Sequence, residues 1–293
     1  FDFLPTNREE MNLKGWAELD ILLISGDAYV DHPSFGVPLI GRVLEAAGFR
    51  VGLIPQPDWK SNKDFIVMGA PRLFTGISSG NLDSMVSNYS SEKHLRRDDA
   101  FAEGGEAGHR PDRACLVYAN RVRECFPRMP VVLGGIEASL RRIAHYDYWD
   151  NKLRRSILLD SRAELLVYGM AEKTIVEVAT RLNEGKSLLG IQGTAYLAKE
   201  VNEAHALVIS SWESLQTDKK AFAEMTLQVH RELSKKQPRR ILQEYGGRWV
   251  VCESPMPLSS EELDKISTLP FVRKPHPRYV RPIPANGFVQ DSI

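Results

Sequence analysis

A polar loop, residues 26–36, is the first stretch of the sequence that could do chemistry. Asp27, Asp31 and His32 lie within six positions and could converge as an oxygen-rich metal site or a general acid–base group. The same side chains could instead hold the loop by accepting backbone N–H bonds, and a lone aspartate–histidine pair favours this second interpretation. The candidate ligand-binding residues in the loop are Gly26, Asp27, Asp31, His32, Ser34 and Gly36.

Two further junctions place glycine directly after an apolar run and before an amphipathic one. Gly134 and Gly135 follow the apolar residues 131–133, and Gly169 follows residues 165–168. A helix that begins at such a junction presents free backbone N–H groups and a positive end, which would favour an anionic or amide ligand. The alternative is that glycine only permits a tight turn there. The candidate binding residues at the two junctions are Gly134, Gly135, Glu137, Ser139, Gly169 and Glu172.

A third region, residues 141–155, combines arginine with aromatic side chains, which is the composition of hot spots in protein interfaces. Such groups could equally stack on a nucleotide ring. The aromatic residues could also belong to the core, with the arginines as their solvated fringe. We expect an interface, with candidate residues Arg141, Arg142, His145, Tyr146, Trp149, Arg154 and Arg155.

The elements that would position these residues follow one pattern. The continuous apolar run 21–24 is typical of a strand buried on both faces, the helical period of 37–47 ends at Gly48, and a second apolar run covers 51–54. Strand, loop, helix and strand form a βαβ unit, in which ligands bind at the carboxyl ends of the strands. Further strands are predicted at 72–77, 130–133 and 165–169. The predicted fold class is α/β, with a Rossmann-like, doubly wound, mostly parallel sheet and a small α+β C-terminal extension.

The chain divides into four predicted segments. Residues 1–18 are a lead-in segment, 19–200 form the Rossmann-like domain, 201–270 form the α+β extension, and the proline-rich residues 271–293 form a connection. Inside the domain, residues 90–113 are strongly polar and rich in glycine. That composition predicts either a functional lid or a disordered linker.

The composition argues against several classes of protein. The chain has 38 basic and 38 acidic residues, so it lacks the basic excess of a nucleic-acid binder. Cys115, Cys125 and Cys252 match no zinc or iron–sulfur spacing, and neither a metal site nor a catalytic residue is predicted. No apolar run approaches the length that spans a membrane, so we expect a cytoplasmic protein with reduced cysteines.

Several long strings give a specific family likeness. GDAYVDHPSFG, RVLEAAGFRVG, VLGGIEASLRRIAHYDYWD and KPHP resemble the N-terminal region of the YgiQ family of radical SAM proteins, and the similarity runs over nearly the whole chain. The resemblance implies that a radical SAM barrel follows the proline-rich connection, where a CxxxCxxC motif holds a [4Fe–4S] cluster that binds S-adenosylmethionine. That motif is missing here, so the cluster and S-adenosylmethionine are implied only for the full-length family. The chain is then a truncated or separately encoded part that performs no radical chemistry by itself.

The resemblance also implies a fold similar to cobalamin-binding domains, which often precede such barrels. The signature of a histidine-ligated cobalamin is DxHxxG, whereas here Asp31 adjoins His32 and three residues separate His32 from Gly36. This departure argues against ligation by the histidine and leaves binding through backbone contacts open.

Three hypotheses follow for the function. The first is an N-terminal accessory domain that contacts substrate or cofactor for a radical SAM barrel, supplied in cis or in trans. The second is a stand-alone binding module for a small ligand or cobalamin, and the third is a fragment without a function of its own. The expected partners are therefore the barrel and a small molecule, with neither a membrane nor nucleic acid.

Overall fold

The computed structural model describes residues 2–289. Its strands are β1 (Ile21–Ser25), β2 (Val51–Pro55), β3 (Phe74–Ser78), β4 (Val131–Leu133), β5 (His145–Asp147), β6 (Lys152–Arg154), β7 (Leu165–Val167), β8 (Thr194–Ala198), β9 (Leu207–Val208), β10 (Ile241–Tyr245) and β11 (Arg248–Cys252). In this described part, β5 and β6 form a hairpin and the other strands form a nine-stranded sheet in the order β2-β1-β3-β4-β7-β8-β11-β10-β9. Phe1 and residues 290–293, at the ends of the predicted lead-in and connection, lie outside the described residues.

The helices alternate with the strands through the first part of the chain. They are α1 (Arg8–Leu13), α2 (Gly36–Ala46), α3 (Ser84–Asn88), α4 (Ala114–Cys125), α5 (Gly135–Leu140), α6 (Ile157–Ser161), α7 (Glu172–Asn183), α8 (Trp212–Thr217), α9 (Lys219–Leu233), α10 (Ser260–Ser267) and α11 (Pro284–Val289). None of the helices within residues 2–289 combines the length and the apolar character needed to cross a membrane.

The sheet is mixed and mostly parallel. Strands β2, β1, β3, β4 and β7 run parallel to one another, while β8, β11 and β10 join in antiparallel fashion. The predicted α/β class with a mostly parallel sheet is confirmed. Strands β9, β10 and β11, from the predicted extension, continue this same sheet because β11 pairs with β8.

Two apolar layers cover the two faces of the sheet, as the buried run of β1 requires. Leu23 belongs to the layer that contains residues of α2 and α7, whereas Leu22 and Ile24 belong to the layer that contains residues of α4 and α6. Alternate residues of a strand point to opposite faces, which explains this division. The connections from β3 to β4 and from β4 to β7 therefore place their helices on the face opposite α2 and α7.

Two segments that looked irregular in the sequence contact the polar loop after β1, residues 26–35. Residues 90–113 are folded against the domain, with Asp98 bridged to Glu106 and the Arg110 side chain buried. The proline-rich segment crosses the same loop, where Pro275 forms a β-bridge with Val30. The interpretation of residues 90–113 as a disordered linker is therefore wrong, because buried ion pairs and backbone hydrogen bonds fix their path.

Candidate functional site

A cavity of about 390 Å³ opens at the carboxyl ends of β1, β3, β4 and β7. It lies between the first turns of α2 and α7, over the face of β3 and β4 whose crossover helices run on the other side. Its walls are mainly branched aliphatic side chains, among them Leu23, Ile40, Ile77, Val132, Ile136 and Ile175. An open apolar concavity at this edge is where open α/β sheets place their ligands.

Two glycines of the cavity lining are packed closely against neighbouring side chains. Gly76 lies inside β3, and a Cβ there would approach the Cδ2 atom of Leu23 to 2.7 Å. Gly135 has a left-handed backbone with φ of 79°, and a Cβ at that position would overlap the Ser78 side chain. A larger residue at either position would therefore force the neighbouring Leu23 or Ser78 side chain to move.

Most predicted residues of the two glycine junctions, together with Gly36 of the polar loop, lie at this cavity. Gly36, Gly134, Gly135, Ser139, Gly169 and Glu172 line it. The Ser139 hydroxyl donates to the Gly135 carbonyl oxygen at 2.7 Å, so it closes the first turn of α5. The structure brings these six residues to one place, and their contact with a ligand stays a prediction.

Asp27 lies at the same sheet edge but is engaged within the protein. Its carboxylate pairs with Arg110 at 2.8 Å and accepts the Asn81 backbone N–H at 2.7 Å, while Arg110 also pairs with Asp99 at 3.0 Å. Burial raises the pKa of Asp27 to about 6, although the Arg110 guanidinium acts in the opposite direction. The preceding Gly26 is packed against the Ser79 carbonyl, so this end of the loop is closed.

Asp31 holds three parts of the chain together. Its fully buried carboxylate accepts from the Arg42 Nε at 3.0 Å and from the Val272 backbone N–H at 2.8 Å. The Tyr29 hydroxyl also donates to it, at 3.3 Å. Asp31 therefore connects the loop after β1 to α2 and to the proline-rich segment.

His32 is also completely buried and lies outside the cavity lining. Its Nδ1 accepts the Ser34 backbone N–H at 3.1 Å. The Ser34 carbonyl in turn accepts from the Asn81 side chain at 2.9 Å. The polar residues of the loop thus fix its shape, which agrees with the structural interpretation made from the sequence.

Glu137 is buried between two helix starts rather than facing the cavity. Its two carboxylate oxygens accept the backbone N–H groups of Ser84 and Cys115, each at 2.9 Å. These are first-turn donors of α3 and α4, which a helix cannot satisfy from within. A carboxylate at both helix starts is favoured by their dipoles as well.

The predicted interface residues make many contacts within the chain. Arg141 pairs with Asp83, Arg154 with Asp147, and Arg155 with Asp160. The Arg142 guanidinium lies 4.6 Å from the ring centroid of Tyr168, and the Trp149 ring is 5.3 Å from that of Tyr89. Burial lowers the pKa of His145, while Tyr146 is about half exposed. Their role in an interface stays a prediction.

Sequence reasoning missed two residues that shape this edge. Gly76 could have been found, because an isolated glycine in a strand pattern signals a close backbone approach. Arg110 could not have been found, because a single arginine in a polar segment carries no signal of burial. Only the folded chain brings it to Asp27.

The fold and the cavity define a class: an α/β domain with a mixed, mostly parallel sheet and an open concavity at the carboxyl edge. The chain belongs to the radical SAM N-terminal family, whose sequence pattern matches residues 3–292. The resemblance to the N-terminal region of YgiQ-type radical SAM proteins is confirmed.

Similar full-length proteins are UPF0313 proteins. The one from Rhodopseudomonas palustris is 46% identical, covering 99% of this chain and 47% of the relative. Those from Vibrio vulnificus and Geobacter sulfurreducens are 42% and 46% identical, covering 99% of this chain in both cases and 45% and 49% of the relatives. The chain therefore spans less than half the length of these relatives.

Among solved structures, part of the radical S-adenosylmethionine methyltransferase TsrM from Kitasatospora setae is similar. Its complex with tryptophan substrate and a SAM analogue matches with a TM-score of 0.39 and 22% identity, covering 60% of this chain and 28% of TsrM. Its complex with cobalamin and a [4Fe–4S] cluster matches with a TM-score of 0.39 and 20% identity, covering 60% of this chain and 26% of TsrM.

The cysteines of this chain do not fit the [4Fe–4S] cluster that the family implies. Cys115 and Cys125 lie at opposite ends of α4, and Cys252 ends β11. Burial raises the pKa of the Cys252 thiol to about 11, which disfavours the thiolate that binds iron. Within residues 2–289 no three His, Cys, Asp or Glu side chains are grouped as a metal site.

Proposed function

We propose that this chain is the domain of a radical SAM enzyme that contacts substrate or cofactor, with its carboxyl-edge cavity facing the catalytic barrel. The position of the cavity carries the proposal. It opens at the edge of the sheet where βα loops meet, and its walls are apolar with a few polar groups at the rim. Family membership supports the barrel as the partner.

The path of the proline-rich segment supports the same arrangement. Ile283 and Ala285 pack with Ala28, Val30 and Phe35 of the loop after β1. The Ala285 backbone N–H also donates to the Ala100 carbonyl at 2.8 Å. The segment therefore runs along the cavity-bearing edge, and polypeptide that continues from α11 in a longer protein would begin beside it.

Reconstitution tests the proposal. The chain is mixed with the separately produced, cluster-loaded barrel of a UPF0313 relative, and reductive cleavage of S-adenosylmethionine is measured by formation of 5′-deoxyadenosine. We expect a cluster-dependent rate that neither part shows alone. Failure of the two parts to associate or to stimulate cleavage would contradict the proposal.

A matched pair of variants tests the part that the cavity plays. Ala171, directly before α7, lines the cavity, whereas Thr180 is exposed on α7 outside the lining. Ala171→Phe should fill the cavity and reduce the stimulated rate. Thr180→Phe adds the same ring at a distance from the cavity and should leave that rate unchanged.

A second candidate function is favoured by the size and lining of the cavity, an apolar concavity of about 390 Å³ that falls within the range of small-molecule sites. That supports a stand-alone binding module for a small ligand or cobalamin. His32 does not fit as an axial cobalt ligand, because it is buried outside the cavity lining. Incubation with cobalamin, desalting and a visible spectrum test this candidate, and a colourless protein would argue against cobalamin.

A further inference from the structure

We propose that the cavity binds an apolar ligand carrying a cationic N–H group, and that Glu172 accepts the hydrogen bond of that group. This inference rests on the proposed function and names the ligand chemistry. It places Glu172 at the first position of α7 as a specificity-determining residue.

The distribution of charge around the cavity is the first observation. Among the residues that line it, Glu172 has the one charged side chain. The other polar side chains of the lining are engaged within the protein. The Ser78 hydroxyl accepts the Gly80 backbone N–H at 3.1 Å, the Ser139 hydroxyl donates to the Gly135 carbonyl, and the Tyr168 hydroxyl donates to the Glu253 carbonyl. An anionic ligand would therefore meet a carboxylate of the same sign and no lining cation.

The second observation is an unsatisfied oxygen. The Glu172 Oε2 atom is buried, and no hydrogen-bond donor from residues 2–289 reaches it. A role in stabilising the N-terminus of α7 does not explain the burial of this oxygen, because an exposed carboxylate in the first turn would interact with the helix dipole equally well. A buried carboxylate oxygen without a donor costs free energy, and a ligand N–H group that bonds the carboxylate once the Glu172 side chain turns into the cavity removes that cost.

The third observation is that the nearby cations of the chain are engaged elsewhere. Lys173, the next residue on α7, pairs with Glu262 at 2.8 Å. The Arg142 guanidinium stacks on Tyr168 and donates to the Ser139 carbonyl at 2.5 Å. The donor for Glu172 is therefore expected from outside the described residues, and a cationic N–H forms the stronger bond to a carboxylate.

Three probes of nearly the same shape separate the apolar contribution from the hydrogen bond. Benzamidine carries a planar cation with N–H donors, benzamide carries a neutral N–H donor, and acetophenone carries none. Binding to the chain is measured by ¹H–¹⁵N NMR titration, following the amides of Gly76, Gly135 and Gly169. We expect benzamidine to bind about 10-fold or more tightly than acetophenone, with benzamide between them.

Two glutamate variants on the same helix complete the test. Glu172→Gln should reduce the preference for benzamidine over acetophenone to about 2-fold or less, and should leave acetophenone binding unchanged. Glu177→Gln is the matched control, because Glu177 pairs with Arg181 and does not line the cavity. It should leave all three affinities unchanged.

The outcomes distinguish this inference from the proposed function. Equal binding of acetophenone and benzamidine by the unmodified chain would overturn the role of Glu172 while leaving the cavity as a ligand site. A preference for benzamidine that survives Glu172→Gln would overturn it as well. Binding of none of the probes would count against the ligand site itself.

Discussion

The loop after β1 and the glycine junctions after β4 and β7 meet at one edge of the sheet, yet they differ in what fills them. The loop has two carboxylates, and each is engaged by an arginine of this chain: Asp27 by Arg110 and Asp31 by Arg42. The junctions combine glycine and aliphatic residues with Glu137, Ser139 and Glu172, and the cavity opens there.

This difference shows that polar residues in a loop do not by themselves mark a binding site. Buried charges must be paired, and a remote partner can satisfy them as well as a ligand can. Space for a ligand arises instead where side chains are missing. At this edge, Gly36 and Gly134 line the cavity, and the nearest described atom would lie 3.9 Å from a Cβ at either position.

The largest effect on stability is expected from removing a buried carboxylate of the loop. Asp31→Ala leaves the buried Arg42 guanidinium with Glu45 as its remaining carboxylate partner, so it should lower the free energy of unfolding by about 3 kcal/mol. Glu172→Gln, at the same edge, should not lower it, because the substitution removes a carboxylate whose Oε2 atom is buried without a donor. Urea denaturation measures both. Similar small effects of the two substitutions would contradict the view that the loop is closed and the cavity open.

A smaller effect is expected from a glycine that lines the cavity. Gly135→Ala forces a left-handed backbone on alanine and brings its Cβ against Ser78, so we expect a loss of about 2 kcal/mol. Gly185→Ala is the control, since it has φ of 66° and open space around a Cβ. Backbone strain alone should cost it about 1 kcal/mol in the same denaturation experiment. Equal losses would show that the contact with Ser78 does not matter.

The smallest effect on stability is expected at Glu10, which contacts His276 of the proline-rich segment that crosses the loop. Burial alone would raise the pKa of Glu10, but hydrogen bonds from His276 and Thr6 lower it from 4.5 to about 2. Because the folded pKa lies below the unfolded one, the stabilisation is present above about pH 4.5 and is lost as the pH falls towards 2.

Glu10→Gln should therefore cost about 1 kcal/mol at pH 7, and the difference from the unmodified chain should shrink between pH 4.5 and 2. Thermal unfolding across this pH range measures it. Glu9→Gln, at an exposed position of the same helix, is the control and should show no such convergence. A difference that stays constant with pH would rule out the assigned pairing.

The amino-acid sequence by itself determined the strands of the parallel part of the sheet and the glycine junctions. Buried strands are continuous apolar runs, and the period changes to that of a helix after each loop, so local pattern is sufficient. The strand predicted at 72–77 is β3, which the structure places at Phe74–Ser78. Six of the residues predicted at the loop and junctions also line the cavity, because the carboxyl ends of parallel strands share one edge.

The tertiary structure alone decided which of those residues face open space. Asp27, Asp31 and Glu137 look like site residues in the sequence, but their partners come from residues 90–113, from α2 and from two helix starts. The crossover helices of β3 and β4 lie on the opposite face, which leaves the cavity between α2 and α7. Pairing of buried charges and the side on which a crossover runs depend on contacts between distant parts of the chain, and no local pattern encodes them.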